Sequence, residues 1–319
     1  MTNEHTTELL STGVHVVLDA AELAPLVARL DVNPGPLCPV DATSDGRDES
    51  EMPAPLRAAL ATIATGRDAA RLRIVGESAG VDLAVWFGHG GETTSLRLAN
   101  DGVHVEAPAP ISGAVDVLVD LVGESPFVAV DLEVELEPVA AVVFAALFDE
   151  ARRETLRALA DGPSGERRAV SGADLAGLLA RDATDGLLGM VRALVGGGPN
   201  QSGPVDGLAI AGALERLGSL GIAERLDGGF VVIGTGLELA TRCLALQAEI
   251  EATRAWVDAT GAVERASSHV LQFGPRDLLA VERVGDVVRI ATESALGIVE
   301  CARTFLTTPI AVETRTAPA

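Results

Sequence analysis

Residues 82–122 and 269–306 repeat one another's plan. The first reads DLAVWFGHGGETTSLRLANDGVHVEAPAPISGAVDVLVDLV and the second HVLQFGPRDLLAVERVGDVVRIATESALGIVECARTFL. Each opens on a short alternating strand that ends in Phe-Gly, at Phe87-Gly88 and Phe273-Gly274. A second strand follows, TTSLRLA or DLLAVERV, then a tight turn at Asp101-Gly102 or Gly285-Asp286, then a third strand, VHVEA or VVRIA. These pairs suit hairpins because glycine takes positive φ without steric cost. An amphipathic helix closes each segment. Its apolar residues step by three and four, at Ile111, Val115, Leu118 and Val122 and at Ala295, Val299, Ala302 and Leu306. A chain built twice on this plan is expected to be α+β, with two pseudo-symmetric halves, each an antiparallel β-meander plus helices.

The rest of the chain divides around these segments. The N-terminal half is expected to span 1–147, with a meander over 82–106 and a helix over 110–122. Helices also read from AELAPLVARLD (21–31) and PLRAALATIATG (55–66). The C-terminal half, 148–319, reads as a helical segment over 148–220, a hairpin over 221–233, a helix over 236–261, a meander over 269–291 and a helix over 293–306. The charged, then Gly/Pro-rich stretch FDEARRETLRALADGPSGERR (148–168) marks the boundary, and VGGGPNQSGPVDG (195–207) reads as a surface loop.

One stretch resembles an esterase signature. Gly76-Glu77-Ser78-Ala79-Gly80 has the spacing of a nucleophile elbow, and His89-Gly90-Gly91 that of an oxyanion loop. An elbow serine, however, lies between a buried parallel strand and a helix, with the oxyanion loop earlier in the chain. Here VDLAVWF follows as an alternating strand, and the His-Gly-Gly comes after the serine. Downstream histidines are limited to His89, His104 and His269, and His104 is expected to face solvent because Val103 and Val105 point inward. His5 and His15 fall in the start of the chain, expected to be mobile. Ser78 therefore reads as structural. Gly234-Thr235-Gly236 lacks the third glycine and the following acid of a dinucleotide site. The expectation is no enzyme, no catalytic residue, no cofactor and no metal site.

Residues 213–236, ALERLGSLGIAERLDGGFVVIGTG, carry the helix-then-hairpin pattern of a winged helix. Over 204–240 the acids are Asp206, Glu215, Glu224, Asp227 and Glu238, against Arg216 and Arg225. A groove-reading helix needs cations, so this pattern argues against DNA. The whole chain agrees: 24 basic and 46 acidic residues give a net charge of −22, which repels phosphate. Every basic residue is arginine and tyrosine is absent, the bias of a high-GC genome. Cys38, Cys243 and Cys301 show no C-x-x-C spacing and read as buried thiols of a reducing cytoplasm. There is no signal-peptide pattern and no apolar run of membrane-spanning length, so a cytoplasmic protein without a membrane partner is expected.

The order VVLDAAELAPLVARL, the Pro-punctuated GPLCPV, the helix LRAALATIA, a meander and a closing helix, with the plan recurring downstream, resembles the EspG family. These are cytosolic chaperones of actinobacterial type VII (ESX) secretion. The resemblance covers most of the chain and rests on element order. It implies a central antiparallel sheet flanked by helical bundles, and a non-enzymatic role in binding the apolar tip of a PE–PPE-like heterodimeric client. It also implies that the first meander's loop contacts the client, which nominates His89, Gly90, Glu92 and Thr93, with Trp86 as anchor. Two alternatives remain open: a winged-helix transcriptional regulator whose cations come from a partner, and an actinobacterial interaction domain with an unrelated protein partner.

Overall fold

Val14, Val16 and Leu18 are buried while His15 and Val17 between them are only half so, the period-two burial that alternating side chains impose on a strand. In the computed structural model, which describes residues 8–10, 13–30, 32–40, 52–76, 80–88, 90–162, 168–180, 186–196, 206–274 and 276–310, this strand is β2 (Gly13–Leu18), preceded by β1 (Glu8–Leu10). It runs into α1 (Ala20–Ala28) through a capping box: the Asp19 carboxylate accepts the Ala21 amide, and the Glu22 carboxylate accepts the Asp19 amide, both at 3.0 Å. There follow α2 (Ala54–Thr65), β3 (Asp68–Gly76), β4 (Gly80–Phe87), β5 (Thr93–Ala99), β6 (Gly102–Ala107) and α3 (Ile111–Val122).

The second half opens with β7 (Glu133–Leu136) and α4 (Pro138–Asp161). Next come α5 (Gly172–Leu179), α6 (Gly186–Gly196), α7 (Gly207–Ser219), β8 (Ala223–Leu226), β9 (Gly229–Val232) and α8 (Gly234–Arg242). It closes with β10 (Ala248–Val257), β11 (Val263–Gly274), β12 (Asp277–Val284), β13 (Val287–Thr292) and α9 (Ala295–Thr307). The fold is α+β with antiparallel meanders: β4-β5-β6 in one half and β11-β12-β13 in the other.

The chain divides into two compact units, Met1–Leu121 with Glu251–Ser267 and Val299–Ala319, and Val122–Ile250 with Ser268–Ile298. The strands β10 and β11 and the helix α9 thus contribute residues to both. In the first unit the strand order is β1-β2-β6-β5-β4-β3, followed by parts of β10 and β11. Helices α1 and α2 bury Leu23, Val27, Leu56, Leu60 and Ile63 against Val14, Val16, Leu18 and Val105. In the second unit the order from β11 is β11-β12-β13-β7. Its core is built around α4, whose residues 140–149 are all buried, as in a helix enclosed on every side. Phe144 and Phe148 pack along it, ring centroids 5.9 Å apart.

Two expectations change. Residues 236–261 do not form one helix: α8 ends at Arg242, and 248–257 is the strand β10. Ala, Glu and Arg dominate that stretch and favour a helix locally. Yet Ala248, Ile250 and Ala252 are buried at alternate positions, so pairing in the sheet overrides propensity. The division at 147/148 falls inside α4, which runs without a break to Asp161. The turn chemistry is closer to expectation. Gly285-Asp286 is the two-residue loop of β12-β13, and Gly285 sits at φ 60°. In β5-β6 the loop is Asn100-Asp101, with Gly102 opening β6.

Candidate functional site

The segment between β4 and β5 is a closed hairpin loop. Phe87 pairs with Thr93 across it. The Gly88 amide donates to the Glu92 carbonyl at 2.8 Å, and the Gly91 amide to the Gly88 carbonyl at 3.2 Å. Gly91 takes φ +84°, where any side chain is strained. The Glu92 side chain folds back against its own loop. A Cβ added to Gly88 would lie 2.5 Å from its Oε1, and one added to Gly90 would lie 2.5 Å from its Oε2. The loop therefore has no room for side chains at either glycine while Glu92 keeps this rotamer. The Thr93 hydroxyl accepts the Ala109 amide at 3.1 Å, tying the loop's far end to the chain after β6. Gly90 and Glu92 are exposed and Thr93 is half-buried. His89, like Ser78, lies outside the described residues.

Trp86 is not on this surface. It is 5% exposed, packs in the core with α2, and donates its indole N–H to the Leu37 carbonyl at 3.1 Å. A residue so placed supports the loop from inside and offers nothing to a partner. Strand alternation explains the correction: Ala84 and Trp86 share one face of β4, and α1 and α2 cover that face.

The histidines also differ from expectation. His104 is 6% exposed, and Val103 and Val105 beside it are buried too, because both faces of β6 are covered. His15 is on β2 and stacks on His104 with ring centroids 5.3 Å apart. His104 Nε2 lies 2.8 Å from the Asp101 carboxylate, and that hydrogen bond holds the Asp101 carboxyl below its usual range. With Nε2 as donor, Nδ1 is the acceptor, and Arg97 Nη2 and His15 Nε2 both point at it from 3.1 Å. Both ring nitrogens of His104 thus have polar partners within the first unit.

Around the sequence's esterase-like stretch, β3 and β4 pair antiparallel, with Val75 opposite Gly80. The flanking elements are thus two strands of a hairpin, whereas a nucleophile elbow joins a strand to a helix; residues 77–79 themselves lie outside the described residues. Gly236, in the Gly-Thr-Gly, is buried and packs against Val232. Among the described residues no group of three His, Cys, Asp or Glu side chains is placed to hold a metal ion, and no helix is long and apolar enough to cross a membrane.

Sequence reasoning missed several surfaces. A groove of about 780 Å³ runs between α3 and the ends of β3, β4 and β5, lined by Leu83, Arg97, Ala114 and Val117, with Val75 and Leu98 exposed at its rim. In the second unit, Leu159 of α4 and Leu208 of α7 are 69% and 82% exposed. Helical periodicity marks these leucines as core candidates, and only the packing shows which stay outside. The winged pattern is fuller than its sequence: Val170 and Phe230 exchange backbone hydrogen bonds, both 2.9 Å, so a bridge, α5, α6, α7, β8 and β9 follow in order.

Compared with known proteins, the sequence matches no family model and no curated protein.

Proposed function

We propose that this protein is a cytoplasmic, non-enzymatic chaperone of the EspG type, which binds a PE–PPE-like type VII secretion substrate and keeps it soluble before export. What supports the reading is the duplicated plan. Starting from β2, which β1 flanks on its outer side, one half runs β2-β6-β5-β4-β3, and starting from β7 the other runs β7-β13-β12-β11-β10. In each half that first strand leads straight into a helix, α1 or α4, and the meander into a closing helix, α3 or α9. The contact surface in this reading is the 88–93 loop, through His89, Gly90, Glu92 and Thr93. The exposed Leu159 and Leu208 supply apolar grip for the client's tip. The strongly acidic remainder keeps chaperone and complex in solution.

Co-expression with a PE–PPE pair from the same genome tests this. The heterodimer is expected to be soluble and to co-elute with the protein, and His89→Ala/Glu92→Ala should weaken that binding at least tenfold. A heterodimer that stays insoluble or elutes alone contradicts the reading. The winged arrangement favours a second reading, a regulator that binds DNA through α7. That helix carries Leu208, Gly212 and Glu215 on exposed positions, with Arg216 its one cation. Salt-sensitive retention on a DNA column would support this reading over the first.

A further inference from the structure

Two arginines lie over the two phenylalanines that end the first meander strands. The Arg254 guanidinium carbon is 4.2 Å from the Phe87 ring centroid, and that of Arg152 is 4.6 Å from Phe273. Each guanidinium is held by a buried aspartate. Arg254 grips both oxygens of Asp68, with Nε to Oδ1 at 2.6 Å, and Arg152 Nη1 meets Asp149 at 2.7 Å. Each also donates to a carbonyl at a helix end: Arg254 to Phe305 in the last turn of α9, and Arg152 to Cys243 at the cap of α8. The aspartates then hold a further segment. Asp68 accepts the Ile310 amide at 2.8 Å, and Asp149 the Leu188 amide at 2.9 Å.

Buried ion pairs are a poor route to stability, since well-packed apolar replacements are often as stable or more so. Inheritance from a duplicated ancestor does not account for this recurrence. Asp68 and Arg254 come from the strands β3 and β10, whereas Asp149 and Arg152 lie one turn apart on α4. What the two pairs share is position, directly over the Phe of a Phe-Gly turn. We infer that the Arg254–Asp68 pair is a positioning device for the 88–93 loop, fixing Phe87 and so the point and direction in which the loop leaves the sheet. The inference rests on the reading of that loop as the client contact, and it assigns Asp68, Phe87 and Arg254 the role of presenting it.

The test is hydrogen exchange on the full chain carrying Asp68→Leu/Arg254→Met. The Gly88 and Gly91 amides, which close the loop, should exchange at least tenfold faster, while Leu60 and Ile63 of α2 keep their wild-type rates. Unchanged rates at Gly88 and Gly91, or equal acceleration throughout the first unit, would show a pair that only stabilises and overturn the inference. Should the double variant not fold, Phe87→Leu keeps the ion pair and removes the ring. Exchange at Gly88 and Gly91 should then rise at least threefold, and no rise overturns the inference. These readouts need no client. Loosening of the loop with undiminished binding of a PE–PPE pair would leave the positioning role standing and remove the loop from the chaperone reading.

Discussion

Cys243 caps α8 at 0% exposure, and burial, reinforced by the nearby Asp277 charge, pushes its thiol up to about 12. Thiolates, not thiols, react with alkylating agents. Iodoacetamide at neutral pH should therefore spare Cys243 in the native protein and label the half-buried Cys38, with Cys243 labelled only after denaturation; mass spectrometry reads the pattern. Trp86 supports a second prediction. Trp86→Ala should destabilise the protein by about 3–5 kcal/mol, the usual cost of removing a buried ring, measured by chemical denaturation. Three aspartates give a third. Asp101, Asp174 and Asp258 are each held below their ordinary value of 3.8, chiefly by side-chain hydrogen bonds from His104, Ser171 and Thr260. A depressed carboxyl contributes stability above its unfolded value and loses it as pH falls through the folded one. Melting temperature should therefore drop as pH falls below about 4, and Asp258→Asn should shallow that slope.

At the scale of elements, local chemistry is legible where it is self-contained. Alternation marks β4 and the end of β11, and glycine-bearing pairs mark both meander turns to within a residue. The failures lie where a distant partner decides. Residues 248–257 carry helix-forming Ala, Glu and Arg, and only their place in the sheet makes them a strand. The two valine neighbours of His104 point it to solvent, but His15 on the paired strand, 89 positions away, covers it. The Asp68–Arg254 contact spans 186 positions and leaves no local trace. In the nominated loop, composition alone marks the glycines and Glu92, whereas the fold of Glu92 back against Gly88 and Gly90 is not readable from it. That packing yields a prediction at this scale. Gly90→Ala should cost less than about 0.5 kcal/mol, because the Glu92 carboxylate it meets is the far end of an exposed, flexible side chain that can swing aside. Gly91→Ala, at φ +84°, should instead lower stability by about 1 kcal/mol or more; chemical denaturation reads both.

For the molecule as a whole, a net charge of −22 on 319 residues sets the kind of partner it can meet. Polyanions are repelled, and in the proposed chaperone reading a client is selected by shape and desolvation. The two halves share strand order but differ in what they add: β7 leads into a long helix wrapped by α5, α6, α7 and α8, whereas β2 leads into the short α1. The account therefore predicts an asymmetric footprint, with one contact at the 88–93 loop and another on the helices of the second unit. Hydrogen exchange of the protein alone and with a PE–PPE heterodimer from its own genome measures this most directly. The predicted result is slowed exchange at residues 88–93 and around Leu208 of α7, with the core of β12 and β13 unchanged. No protection anywhere on adding the heterodimer, or protection confined to surfaces other than these two, would contradict it.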